Sequence, residues 1–150
     1  MDEGTKVRAG TDFLEGIANR LLKAFNAHDA VRLASLYSPS QVTTCTGEPE
    51  TIRGRDAKAE FAGQFFRAFP DIRLEPFSIL LAPDHIVCEV DTRGTNTGPI
   101  NTPEGEIPAT GKAVDVKMSF TLRVGEDGLI AEDRTYYDTG LFMRQLGFFE

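Results

Sequence analysis

Asp133, Thr135 and Tyr137 occupy every second position of the segment Leu129 to Asp138, which reads as a β-strand. Alternation therefore places a carboxylate, an aliphatic hydroxyl and a phenol along one side of that strand. Where such a side lines an apolar pocket, a carboxylate can act as a base toward an acidified C–H, and a phenol can donate a hydrogen bond to the oxyanion that develops. The competing reading leaves Asp133 solvated at the strand's edge.

The other polar candidates are read differently. His28 falls in a break between helices and His85 in a turn before a strand, both read as solvent-facing. Glu89, Asp91 and Arg93 share one strand face and read as outward-facing surface or dimer-interface charges. Cys45 and Cys88 have no Cys or His neighbour at metal-ligand spacing, so neither a disulfide framework nor a zinc site is expected.

These residues need elements to hold them. Phe13, Ile17, Leu21 and Phe25 recur every fourth position from Asp12 to Ala27, an amphipathic helix that should cover a sheet. A second helix is expected over Ala30 to Tyr37, ended by Pro39, and then a short strand over Gln41 to Thr46. A third helix, capped by Asp56 and ended by Pro70, sets Phe61, Phe65 and Phe69 on one face.

The second half reads as long strands, Ile72 to Ala82, Ile86 to Arg93, Val114 to Val124 and Leu129 to Asp138, hence an antiparallel sheet. Val114, Val116, Met118, Phe120, Leu122 and Val124 alternate with polar residues, so that strand has one apolar face. The connection from Gly94 to Lys112 is far longer than a hairpin loop and is a candidate lid. A last helical piece is expected over Thr139 to Leu146, with Gly147 as its cap.

The 150 residues suit one domain, 1–150, with a disordered stretch over 1–11. The formal net charge of -7 disfavours nucleic acid and anionic membrane as partners. No run approaches the length of a membrane span, and the polar start lacks the features of a secretory signal, so a cytoplasmic protein is expected.

Six segments carry a family resemblance: Ala24 to Asp29, Arg53 to Ala57, Ala68 to Ile72, Gly94 to Pro99, Ile107 to Lys112, and Tyr137 to Thr139 with Arg144 to Gly147. In this order and spacing the chain resembles the SnoaL-like polyketide cyclases of the nuclear-transport-factor-2-like superfamily, from about residue 16 onward. The resemblance implies an α+β fold, a cone-shaped barrel in which three helices pack on a curved, mainly antiparallel sheet around an apolar pocket. It also implies a flat, hydrophobic polycyclic ligand, no metal, no organic cofactor and a homodimer.

Members of that family close rings by aldol chemistry with an Asp on the last strand, a pocket His on the strand before it and a pocket Asn on the first strand. Those positions carry Thr135, Phe120 and Thr43 here. The resemblance therefore implies a tailoring enzyme of aromatic polyketide or antibiotic biosynthesis acting as hydroxylase or isomerase rather than aldol cyclase, with a partner reductase in the hydroxylase case. Its expected catalytic residues are Asp133, Thr135 and Tyr137, and its expected substrate contacts are Thr43, Phe61, Phe65, Phe69, Asn96, Met118 and Phe120. An Asp-Arg-Asp set of the epoxide-opening kind, from Asp91, Arg93 and Asp133, is the less favoured catalytic alternative. The non-enzymatic alternatives are a small-molecule binding or carrier domain, which predicts tight binding without product, and a structural dimerisation module, which predicts a cone filled by side chains.

Overall fold

Leu14, Ile17, Ala18, Leu21 and Leu22 are buried along one stripe of the first helix, α1 (Asp2–Asn26), the spacing of a helix laid on a sheet. The computed structural model describes residues 2–149, and for 2–11 the backbone alone. The disordered stretch expected over 1–11 lies outside the residues described with their side chains. Phe13, expected on the buried stripe, is half exposed and lies over Gly128 in a strand-connecting turn, where a Cβ would stand 2.9 Å from the ring. It sits one position before the stripe and rotates out of it.

The break after α1 is sewn to the sheet. Asn26 exchanges two hydrogen bonds with the Leu74 backbone, at 2.8 and 3.0 Å. His28 adopts a left-handed φ of 56°, stacks on Phe66 and bonds the Ile72 carbonyl through Nε2 at 2.7 Å. It is not the solvent-facing residue expected.

Asp29 caps α2 (Ala30–Ser35) by accepting from the Arg32 N–H. The helix is shorter than expected, because Tyr37 already opens β1 (Tyr37–Cys45). Pro39, expected to stop a helix, lies inside that strand where its register is broken, so no ladder donor is missed. After β2 (Ile52–Arg53) comes α3 (Arg55–Ala68), whose N-cap is Gly54, at φ 87°, and not Asp56, which falls in the first turn.

The remaining elements follow the expected strands closely: β3 (Arg73–Leu81), β4 (His85–Thr95), β7 (Ala113–Val124) and β8 (Ile130–Tyr137), ending in α4 (Thr139–Gln145), capped by Asp138. The long connection between β4 and β7 is not bare loop but carries a small hairpin, β5 (Ile100–Thr102) and β6 (Gly105–Ile107). The main sheet runs β2-β1-β8-β7-β4-β3. Its pairs are antiparallel except β1 with β8, which are parallel.

On β7 the alternation holds: Val114, Val116, Phe120, Leu122 and Val124 are buried. The curved inner face meets α1 and α3. The outer face carries Arg93 among Glu75, Asp91 and Asp115, at 3.3, 3.7 and 3.2 Å, so these charges pair on the surface as expected and Arg93 does not join Asp133. Among the described residues no helix is long and apolar enough to cross a membrane.

Candidate active site

The space between α3 and the inner face of β7 and β8 is not filled. It forms a cavity with about 90 Å³ open to the centre of a water molecule. Phe61, Phe65, Val116, Met118 and Phe120 supply much of its apolar wall. Of the residues lining it, only Lys58 and Asp133 carry charge.

Those two meet at one end. Lys58 Nζ stands 3.0 Å from Asp133 Oδ2, and Tyr37 donates its hydroxyl to the same oxygen at 2.6 Å. Thr135 donates to the other oxygen, Oδ1, at 2.8 Å. Lys58 also donates to Thr43 Oγ1 at 3.0 Å and lies over the Tyr37 ring, 4.4 Å from its centroid. Two of the three N–H bonds of the ammonium thus have acceptors, and the charge also rests on the Tyr37 ring. Asp133 Oδ2 accepts two bonds, whereas Oδ1 accepts one and keeps a lone pair for a ligand.

The sequence builds this arrangement through Gln41, which is fully buried. Its amide donates to the carbonyls of Gly54 and Ile52, and its oxygen accepts from Thr43 at 2.6 Å. The Gly54 N–H in turn bonds the Gln41 carbonyl. Gln41 therefore fixes the point where α3 starts, and Lys58, one turn in, is aimed at β8.

Burial and the facing Asp133 carboxylate push the Tyr37 phenol well above its ordinary range, so it remains a donor. Burial first, and Asp133 second, push the Cys45 thiol up to about 12. The Tyr137 phenol is raised chiefly by burial, then by Cys45 and Glu48. Tyr137 bonds Thr46 through its backbone, at 3.0 and 3.2 Å, and its side chain lines the cavity.

Asp133, Thr135, Tyr137, Phe61, Phe65, Met118 and Phe120 all line the cavity, as expected. Three expected contacts do not. Thr43 lies behind the wall as the link between Lys58 and Gln41. Phe69 follows the end of α3, where its side chain turns to Leu146 and Phe142 in a separate apolar cluster. Asn96 is fully buried but spends its amide on the chain itself. It donates to Ala68 and Gly98 carbonyls and accepts from the Thr110 N–H and hydroxyl, pinning both ends of the β4–β7 connection.

The sequence reading missed Lys58, Tyr37 and Gln41. Lys58 had a signal: it precedes Phe61 by three and Ala62 by four, so it sits on the apolar face of α3, an unusual place for lysine. Asp133 accordingly occupies a paired ionic setting, in contrast to the bare apolar one expected.

A family model described as SnoaL-like polyketide cyclase matches residues 16–146. Solved structures share the fold. A candidate polyketide cyclase from Xanthomonas campestris pv. campestris superposes with a TM-score of 0.80 at 18% identity, over 92% of this chain and 99% of that one. TsrD from Streptomyces laurentii gives 0.77 at 24% identity, over 91% and 96%. AclR, a candidate hydroxylase from Streptomyces galilaeus, gives 0.74 at 20% identity, also over 91% and 96%. No curated protein sequence matches the chain.

Proposed function

We propose that this chain, which belongs to the SnoaL-like polyketide cyclase family, is a cofactor-independent enzyme that removes a proton from an acidified C–H of a flat, hydrophobic polyketide-type molecule. The observation that carries this reading is the apolar cavity lined by one carboxylate, Asp133, which offers one unengaged acceptor position.

Asp133 Oδ1 takes the proton. Lys58 and Tyr37 hold Oδ2 and keep the carboxylate oriented, and Thr135 holds Oδ1 from the side. Tyr137, kept protonated by burial, donates to the enolate oxygen. Thr135 stands where the aldol cyclases place their Asp, so the base is set one inward-facing position earlier on β8 and ordinary ring closure is not proposed.

The carbanion has two fates. Return of the proton from Asp133 to another carbon is an isomerisation. Addition to dioxygen gives a peroxide anion that takes the abstracted proton back from Asp133; the hydroperoxide then accepts two electrons from a partner reductase, with two protons, to leave a hydroxyl and water, or loses water to leave a carbonyl. The likeness to AclR supports the hydroxylase branch. Either fits tailoring of a secondary metabolite such as an antibiotic. Exposed Phe77, Leu80 and Tyr136, on strands of the main sheet, support a homodimer.

A carrier domain is the second reading, favoured by the engagement of Asp133 by Lys58, Tyr37 and Thr135, which ties up most of the carboxylate. The test is mass spectrometry after incubation with flat aromatic polyketide ketones, with and without dioxygen and a reductant. An isobaric product supports isomerase chemistry, oxygen-dependent gain of oxygen supports hydroxylase chemistry, and binding without product supports the carrier.

A further inference from the structure

Thr92 stands on the inward side of β4, paired with Leu74 of β3 and Val116 of β7. It lines the cavity and is 4% exposed, and its hydroxyl has no hydrogen-bond partner among the described residues. The nearby wall residues Ile72, Leu74, Val114 and Val116 are apolar. A hydroxyl withdrawn from water without a partner is destabilising, and valine has the same shape without that cost. A molecule held in the cavity, which Thr92 lines, can supply the partner.

Resting on the reading of the cavity as a site for a flat hydrophobic molecule, we infer that Thr92 is a specificity residue that binds an oxygen substituent at the end of the ligand remote from Asp133. A threonine hydroxyl donates or accepts, so the substituent is a carbonyl or a hydroxyl.

Register sets the distance. Thr92 pairs with Val116, and Thr135, which holds the free oxygen of Asp133, pairs with Phe120 on the same strand. The two levels are four residues apart along β7, about 14 Å at ~3.4 Å per residue. A single ring held at Asp133 does not reach Thr92. A linear polycycle oxygenated at both ends does, and the apolar wall between them accommodates its unsubstituted middle.

The test uses two anthraquinones, one with a hydroxyl at one end and one with hydroxyls at both ends, titrated against the full chain by calorimetry. The doubly substituted compound is expected to bind about three- to tenfold more tightly, the range of one net hydrogen bond. In Thr92→Val that ratio should fall to about one, and Thr92→Ser should restore it. Equal binding of the two compounds to the wild type, or a ratio that persists in Thr92→Val, overturns the inference while leaving the cavity reading intact. Binding of neither compound overturns both.

Discussion

Lys58 Nζ lies 3.0 Å from Asp133 Oδ2, with both side chains more than nine-tenths buried. One charge comes from a helix and the other from the last strand, so the pair ties the two walls of the cavity together. A buried pair of this kind is costly to break from one side, because the survivor is left charged in an apolar setting.

Lys58→Met should therefore lower the unfolding free energy by about 3 kcal/mol. Adding Asp133→Leu should recover part of that loss, since the orphaned carboxylate is gone. Denaturant titration of the single and double variants checks this; a single variant as stable as wild type would show that the pair does not bind the walls.

The two tyrosines of the site should behave differently. Tyr137→Phe removes the proposed oxyanion donor and should lower kcat by about a hundredfold with little change in stability. Tyr37→Phe removes a bond to Asp133 and should cost about 1–2 kcal/mol of stability. Steady-state rates set beside unfolding midpoints separate the two roles.

Alkali should weaken the fold. Cys45 and Cys88 are pushed up to about 12 and about 11 in the folded protein, from an ordinary thiol value of 9.0, mainly by burial. A group whose folded value is raised stabilises fully below its unfolded value and loses that contribution as pH rises toward the folded one. Stability should thus hold to about pH 9 and decline from there to about pH 12. Midpoints measured across that window should fall, and Cys45→Ala should flatten the fall.

Asn96 offers a test of the connection between β4 and β7. Asn96→Ala removes four side-chain hydrogen bonds that close the base of this strap. Cleavage within 98–111 by limited proteolysis should speed up several-fold while α1 remains protected; unchanged cleavage would mean that the hairpin is held elsewhere.

The strands β3, β4, β7 and β8 were legible, β7 most clearly, because its period-two alternation is long and a one-residue slip would invert every side chain; the β5–β6 hairpin was not, being two short pieces in a stretch rich in Gly, Pro and Thr. The start of β1 was not, since Leu33, Ala34 and Leu36 extend a helical pattern into Tyr37 and a proline follows. The wall residues of the site followed from alternation on β7 and β8, and Phe61 and Phe65 from helical spacing on α3. Its polar partners did not, because Lys58 reaches Asp133 across 75 positions of sequence and Gln41 acts by fixing where a helix begins. Asn96 and Phe69 misled for the converse reason: both are buried near the cavity, yet one is used up by the backbone and the other turns to α4.

The most direct measurement is deuterium uptake from heavy water into anthrone, a flat tricyclic ketone with an acidified methylene, followed anaerobically by mass spectrometry. Wild-type protein should speed exchange at the methylene above the buffer rate, and Asp133→Asn, verified as folded, should return it to that rate. Exchange undiminished in Asp133→Asn, or absent from wild type that demonstrably binds anthrone, would contradict Asp133 as the base.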